Sequence, residues 1–256
     1  MTGVPTGVPT GVPTGAQPGA PTGAQPGPQP GAQTGPTTGG LAGPAPGQVL
    51  GTVVRLQVQR SRLKPGPRGA RVYDPAPLLA VTALRVTGRG VVGVTAAGPV
   101  LDVHHADHPD SRNARLANGL SLLPREHYGR LRQAYGPHLV DGVAGEGLLL
   151  ETAGPWSPPD LDGVLELETT TGWLQLTGVA PAPPCVEFGR FCLDDPDAAA
   201  DGEAVRSALE VLGHGMRGFY ATPQGAGRVE VGARLRRAAP TAPQAACLPE
   251  GCRAPG

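Results

Sequence analysis

The sequence contains a single lysine. Of its 21 basic residues 20 are arginine, and Lys64 lies in the segment RLKPGP (62–67), whose prolines and glycine predict a loop. Pyridoxal phosphate forms its Schiff base with a lysine that is held in a shaped pocket. Pyridoxal phosphate chemistry is therefore not expected in this chain.

Neither sign of charge is in excess. The 21 basic residues are balanced by 21 acidic residues, so the formal net charge is +0 at pH 7. Proteins that bind nucleic acids or anionic membranes usually carry a surplus of positive charge, which attracts the phosphate groups. We therefore expect neither nucleic acid nor a membrane among the partners of this chain.

Long apolar runs are also missing, and cysteine is scarce. No stretch is long enough to span a bilayer, and the amino terminus lacks the basic and apolar regions of a secretory leader, so we expect a cytoplasmic protein. Four cysteines in 256 residues are too few for a disulfide scaffold. Cys185 and Cys192 lie in the central part of the chain, whereas Cys247 and Cys252 lie near its end.

Glycine and proline, by contrast, are abundant. The 40 glycines and 31 prolines concentrate at the start, where TGVP occurs three times and large apolar residues are almost absent. Such a segment cannot bury enough surface to offset its ordering entropy. We predict a disordered tail at residues 1–47, one domain at 48–238 and a flexible tail at 239–256. A start codon assigned too far upstream is an alternative explanation for the repeats.

Short β-like segments dominate the predicted domain. They are rich in β-branched and apolar residues and are separated by turn-forming residues. We predict strands at residues 49–58, 78–86, 91–94, 165–168, 173–176, 218–221 and 229–235. The alternation of LELE and WLQL around the turn at 169–172 predicts a hairpin. Many short strands favour a closed β-barrel, because closure leaves no exposed strand edge.

Two helices are expected between the strands. The first begins at Pro124, which suits a first helical turn, with Ser121 as a candidate cap and Gly136 as its end. The second spans residues 202–212, where apolar residues recur at helical spacing. The predicted fold class is therefore mainly β, a closed barrel with a few short helices.

Four short segments resemble those of a known family. They are PREHY (124–128), DGVAGE (141–146), APPCVEF (182–188) and RGFYA (217–221). Together they resemble the MOSC domains, the C-terminal domain family of molybdenum cofactor sulfurases, over residues 101–236. The sequence departs from the family pattern at Gly147 in place of Asn, at Ala182 in place of Arg, and at HHADH (104–108) in place of a His-Gly-Gly loop.

The resemblance implies both a fold and a chemistry. MOSC domains are β-barrels that bind the molybdenum cofactor (molybdopterin) or transfer sulfur through a cysteine, and Cys185 lies at the matching position. The resemblance thus makes Cys185 the catalytic residue and molybdenum ligand, with Glu146, Arg217, His105 and Asn118 as cofactor-binding residues. It also implies a molybdoenzyme acceptor or an electron-donor protein as partner, and reduction of N-hydroxylated compounds as one reaction.

The candidate residues have physical reasons of their own. The soft sulfur of Cys185 suits molybdenum or a persulfide, although a cysteine can also pack as a small apolar residue, which is the role expected of Cys192. Glycines on both sides of Glu146 allow close approach of a ligand. The guanidinium of Arg217 can hold an oxyanion in bidentate fashion, or it can pair with Glu187.

The histidine-rich loop supports a second hypothesis. HADH (105–108) reproduces the end of the His-x-His-x-Asp-His motif of metallo-β-lactamase-like hydrolases, in which imidazoles bind zinc. A zinc-dependent hydrolase built on His105, Asp107 and His108 is therefore an alternative function. A polar loop in which Asp107 and Asp110 pair with Arg112 and Arg115 is a further interpretation. A barrel that only binds a ligand, without catalysis, is the third functional alternative.

Overall fold

Pairing of short strands builds most of the fold. The computed structural model describes residues 47–67, 69–111, 113 and 118–239. Apart from residues 47 and 239, the predicted tails lie outside the described residues, and so do Cys247 and Cys252. Among the described residues, no helix has the length and apolar character needed to cross a lipid bilayer.

The described residues contain twelve strands. They are β1 (Val49–Gln59), β2 (Leu78–Val81), β3 (Ala83–Thr87), β4 (Gly90–Thr95), β5 (Gly98–Leu101), β6 (Leu120–Pro124), β7 (Leu148–Glu151), β8 (Leu165–Thr169), β9 (Gly172–Pro181), β10 (Phe219–Gln224), β11 (Gly227–Glu230) and β12 (Arg234–Arg237). Three α-helices interrupt them: α1 (Arg125–Tyr135), α2 (Val186–Cys192) and α3 (Glu203–Leu212).

Seven of the strands form a closed barrel, as the sequence predicts. Their order around the barrel is β1, β12, β8, β9, β10, β6 and β7, and β7 pairs again with β1. The first and last strands close the ring, with Val49 opposite Arg236 and Thr52 opposite Arg234. The pair β6 and β7 is parallel, whereas the other neighbouring strands of the barrel are antiparallel.

A parallel pair needs a long crossover, and here the crossover contains α1. Successive residues of β6 and β7 alternate between two apolar clusters. Leu122 and Leu148 belong to the cluster that the two sheets share, whereas Leu123 and Leu149 belong to a second cluster around the helices. Both faces of these strands are therefore buried, which explains why their sequences are almost continuously apolar.

A second sheet of four strands was not foreseen in the sequence. Its order is β11, β3, β4 and β5. The predicted strand at 78–86 is wrong as a single element, because it divides at Thr82 into β2, which pairs with β1, and β3. The predicted strand at 229–235 likewise divides into β11 and β12, which lie in different sheets. Gly232, at φ +93°, makes the turn between them.

Of the other local predictions, two are confirmed and one is wrong. The hairpin of β8 and β9 is confirmed, with Thr169 opposite Gly172. The helix at 202–212 is confirmed as α3. The cap predicted at Ser121 is wrong, because Ser121 lies in β6 and its hydroxyl accepts the N–H of Gly147 at 2.8 Å, while Pro124 occupies the cap position of α1. Helix α2 was not predicted.

Candidate functional site

A cleft with cationic walls lies beside the barrel strands β1 and β10. It has a volume of about 190 Å³, and its walls come from the segment between β1 and β2, the segment between β5 and β6, and the start of β10. Its described lining includes four basic side chains but one carboxylate, Asp110. The basic residues are Arg62, Lys64, Arg71 and Arg217.

Two of these cations are paired and two are not. Arg62 lies 3.4 Å from Asp110, and Lys64 lies 4.0 Å from Glu187. The ion pairs of the described residues do not include Arg71 or Arg217, and the Nε atom of each is buried without a hydrogen-bond partner. Buried polar groups in native proteins almost always have a partner. The cleft therefore has the positive charge to hold an anion, and two of its guanidinium groups have an Nε atom without a hydrogen-bond partner.

The chain places Arg217 by means of a glycine-rich turn between α3 and β10. The N–H of Arg217 donates to the carbonyl oxygen of Leu212 at 3.2 Å. Gly218 has φ +103°, and a Cβ there would lie 2.8 Å from the carbonyl oxygen of Leu122, so glycine is needed at this position. The guanidinium then lies over the ring of Phe188, with Cζ 4.9 Å from the ring centroid.

Arg217 keeps its positive charge although its guanidinium is buried. Burial lowers the pKa of the guanidinium, but the nearby phenols of Tyr73 and Tyr220 and the thiol of Cys185 outweigh burial, so the net pKa is raised. A fixed cation among aromatic rings is a typical partner of an oxyanion. Pairing of Arg217 with Glu187, one of the two predicted roles, is not formed, because Glu187 lies opposite Lys64.

Glu146 lies in the loop that leads into β7. The side-chain amide of Gln59 donates to the carbonyl oxygen of Gly145 at 2.7 Å, which ties this loop to the end of β1. Gly145 has φ +84°, and a Cβ there would lie 2.7 Å from Leu63 Cδ1 and 2.8 Å from Gln59 Nε2. The flanking glycines predict that another group comes close to the backbone here. At Gly145 that group is formed by the protein's own side chains, Leu63 and Gln59.

The carboxyl of Glu146 is buried and only partly satisfied. Its residue is 4% exposed, and Oε2 accepts the hydroxyl of Tyr128 at 2.9 Å, while Oε1 is buried without a partner. Burial raises the pKa of Glu146 to about 7, although Tyr128 and the charge of Arg217 oppose this rise. Glu146 can thus exchange a proton near neutral pH.

Tyr73 forms an aromatic wall of the cleft that sequence analysis missed. Its hydroxyl donates to the carbonyl oxygen of Val143 at 2.6 Å, and burial raises the pKa of the phenol. Its ring lies 4.9 Å from that of Phe188 and 5.1 Å from that of Phe191. Aromatic residues make up 4% of the chain, so a tyrosine within a loop rich in proline and glycine was the available signal.

Cys185 stands at the N-terminal cap position of α2. It is half-buried and packs against the second apolar cluster. It is not among the described cleft-lining residues, but its thiol interacts electrostatically with Arg217 and Tyr73, which do line the cleft. Cys192 is fully buried at the other end of α2, and burial raises its pKa to about 12. Of the two thiols, Cys185 is the accessible one.

The histidine of this cleft is His104 rather than the predicted His105. His104 lines the cleft, and its Nδ1 lies 2.9 Å from Oδ1 of the buried Asp102. The same oxygen accepts the N–H of His104 at 2.8 Å, so the turn orients the imidazole. His105 is buried in the next turn, where its Nδ1 accepts the N–H of Asp107 at 3.2 Å. The Asp-x-His spacing of Asp102 and His104 was the available signal.

The zinc-hydrolase hypothesis has no support in this geometry. Among the described residues, no group of three or more His, Cys, Asp and Glu side chains is placed to hold a metal ion. The imidazole of His108 is engaged at both nitrogens, by the carbonyl oxygen of Arg60 at 3.1 Å and the N–H of Asp110 at 3.0 Å. Asp107 is paired with Arg89 and Asp110 with Arg62, whereas the partners expected from the sequence, Arg112 and Arg115, lie outside the described residues. The loop is therefore held by its own turns and ion pairs.

The predicted site residues thus divide into two groups. Arg217 lines the cleft, and Glu146 and Cys185 lie next to Arg217. His105 and Asn118 are not among the described lining residues of the cleft. Asn118 is exposed, donates its N–H to Asn113 Oδ1 at 3.2 Å, and borders a separate cavity of about 10 Å³.

Comparison with known proteins leaves the family open. Neither a family model nor a curated protein matches the sequence. Among solved structures, the chain is similar to the YuaD protein from Bacillus subtilis, with a TM-score of 0.45, 13% identity and coverage of 72% of this chain and 93% of that one. It is also similar to YiiM from Escherichia coli, with a TM-score of 0.39, 17% identity and coverage of 62% and 63%. At this level the likeness assigns no activity to the chain.

Proposed function

We propose that this barrel binds the molybdenum cofactor in its cationic cleft, or carries sulfur towards that cofactor, through Cys185. The observation that carries the proposal is the pair of buried, unpartnered Nε atoms of Arg71 and Arg217 in one cleft, with the accessible thiol of Cys185 beside Arg217. The resemblance of the sequence to MOSC domains supplies the identity of the ligand.

The residues present fit such a group. The cofactor carries a phosphate, and a guanidinium can hold a phosphate with two parallel hydrogen bonds. Arg71 and Arg217 would hold that phosphate, and Tyr73 would pack beside it. A thiolate is a soft ligand that suits molybdenum, and a thiol can also carry sulfur as a persulfide. Cys185 would fill either role, whereas the buried Cys192 stays protonated.

When bound, the cofactor would supply the redox chemistry of molybdenum, and the protein would supply position and charge. By family resemblance, one such reaction would be the reduction of N-hydroxylated compounds with an electron-donor protein. Transfer of sulfur to a molybdoenzyme acceptor is the other reaction that the same cysteine would serve.

Cofactor and sulfur content test this function directly. We expect the purified full chain to contain molybdenum together with a pterin, or to label as a persulfide. Cys185→Ala should abolish both signals while the protein stays folded, and the matched variant Cys192→Ala should keep them. Arg217→Gln should weaken cofactor retention by about 10- to 100-fold, the value of one or two charged hydrogen bonds. Equal retention by Cys185→Ala and the parent protein would show that the proposal is wrong.

A further inference from the structure

Two complementary buried atoms without partners border one small cavity. Oε1 of Glu146 and Nε of Arg217 are both buried without a hydrogen-bond partner. Both residues line a cavity of about 10 Å³, which has room for about one water molecule. Gln59, Arg217 and Tyr220 line this cavity and the cationic cleft alike. Glu146 therefore lies one residue behind the place where an anion would bind.

The groups that face Glu146 come from four parts of the chain. Tyr128 of α1 donates its hydroxyl to Oε2, and Tyr73 approaches from the segment between β1 and β2. Arg55 of β1 and Arg217 before β10 are the nearby cations. Burial favours the neutral carboxylic acid, whereas the two arginines favour the carboxylate. The backbone N–H of Glu146 and the hydroxyl of Tyr128 favour the carboxylate as well, so the charge of Arg217 determines part of the protonation of Glu146.

We propose that the protonation of Glu146 increases, with uptake of a fraction of a proton from solvent near neutral pH, when a divalent oxyanion binds in the cationic cleft. This inference rests on the proposed function in one respect, the binding of an anion at Arg71 and Arg217. An oxyanion that pairs with Arg217 cancels much of the positive charge that stabilises the Glu146 carboxylate, and it adds negative charge nearby. A larger fraction of the Glu146 side chains is then protonated, and in these Oε1 becomes a hydrogen-bond donor towards the cleft. The cleft thus takes an oxyanion together with a fraction of a proton.

Sulfate is the suitable probe, because it does not change its own protonation near neutral pH. Calorimetric titration of the full chain with sulfate at pH 7.5, in two buffers of different ionisation enthalpy, gives the number of protons taken up. A rise of one unit from a pKa of about 7 corresponds to uptake of about half a proton at pH 7.5. Sulfate should also bind about tenfold more tightly at pH 6 than at pH 9 through this linkage.

Variants assign the proton to its site. Glu146→Gln should bind sulfate without proton uptake, whereas Glu151→Gln, which changes an exposed carboxyl paired with Arg125, should keep the uptake. Uptake that survives in Glu146→Gln and disappears in His104→Gln would place the proton on the imidazole and overturn the inference. Sulfate binding without uptake in the parent protein overturns it without any variant.

The two proposals can fail separately. Sulfate binding without proton uptake overturns this inference alone. Absence of sulfate binding overturns it too, and also removes the anion site at Arg71 and Arg217 that both proposals share. Absence of molybdenum, pterin and persulfide from the purified protein overturns the proposed function alone.

Discussion

Acid should destabilise this fold through one buried histidine, His127. The side chain is fully buried on α1. Its Nδ1 lies 3.2 Å from the carbonyl oxygen of Met216, to which it donates, and its Nε2 accepts the N–H of Trp156 at 3.0 Å. The neutral imidazole therefore uses both nitrogens and joins α1 to two loops. Burial lowers the pKa of His127 from 6.5 to about 4.

The sign and size of the effect follow from this shift. Between pH 6.5 and pH 4 the unfolded chain binds a proton at His127 that the folded protein excludes, so the free energy of unfolding falls as the pH falls. A lowering of about 2.5 pKa units is worth at most about 3.4 kcal/mol. Of this amount, about 2.5 kcal/mol is lost by pH 4.5. The stabilisation is fully present above pH 6.5.

Urea unfolding at pH 7.5 and pH 4.5 measures this loss. His127→Gln keeps one donor and one acceptor but cannot titrate, so the same measurements on the variant remove the contribution of every other group. The parent protein should lose about 2.5 kcal/mol more than the variant between the two pH values. An equal loss in both proteins would refute the assignment of a neutral, buried imidazole.

Two further predictions concern stability. Since burial raises the pKa of Glu146 from 4.5 to about 7, the parent protein loses stability as the pH rises through this interval, and Glu146→Gln does not. Between pH 4.5 and pH 8 the variant should therefore gain about 3 kcal/mol relative to the parent in urea unfolding, and a constant difference would contradict this. Gly215 has φ +93°, and a Cβ there would overlap the ring of Phe219, lying 2.6 Å from Cε1. Gly215→Ala should cost about 2–4 kcal/mol, whereas Gly232→Ala, at the same φ but in open space, should cost about 1 kcal/mol, and equal losses would exclude the steric contribution.

The parts of the fold that the sequence predicted correctly depend on neighbours along the chain. The hairpin of β8 and β9 is specified by alternation and a short turn, and α3 by its apolar stripe. Helix α2 was missed because its seven residues, VEFGRFC, include a glycine and show no clear period. Its helix is supported by packing, since Phe188 is buried in the second cluster and Gly189 faces Leu209 of α3.

The site residues show the same difference between local signals in the sequence and contacts that form only on folding. Glu146 and Arg217 were singled out because neighbouring glycines and the family resemblance mark them locally. Arg71 was not singled out, because it reaches the cleft only when distant segments meet, whereas the local signals of Tyr73 and His104 are weak. Arg71 shares the cleft with Arg217, which lies in the turn before β10, and no local pattern reports that proximity. The structure places His104 rather than His105 in the cleft wall, and a sequence gives little reason to choose between adjacent histidines, because they differ only in the turn that each occupies.

Closure of the barrel by its first and last strands has a consequence for biosynthesis. Val49 pairs with Arg236, and the N–H of Arg237 donates to the carbonyl oxygen of Gln48. The edges of β1 and β8 that β12 joins therefore stay unpaired until β12 is present. A nascent chain still on the ribosome keeps β1 with one unpaired edge until β12 has emerged. Such an edge attracts other strands, and pairing across so long a separation in sequence is slow. The barrel therefore stays open, and exposed to edge-to-edge pairing with other chains, until β12 has been synthesised.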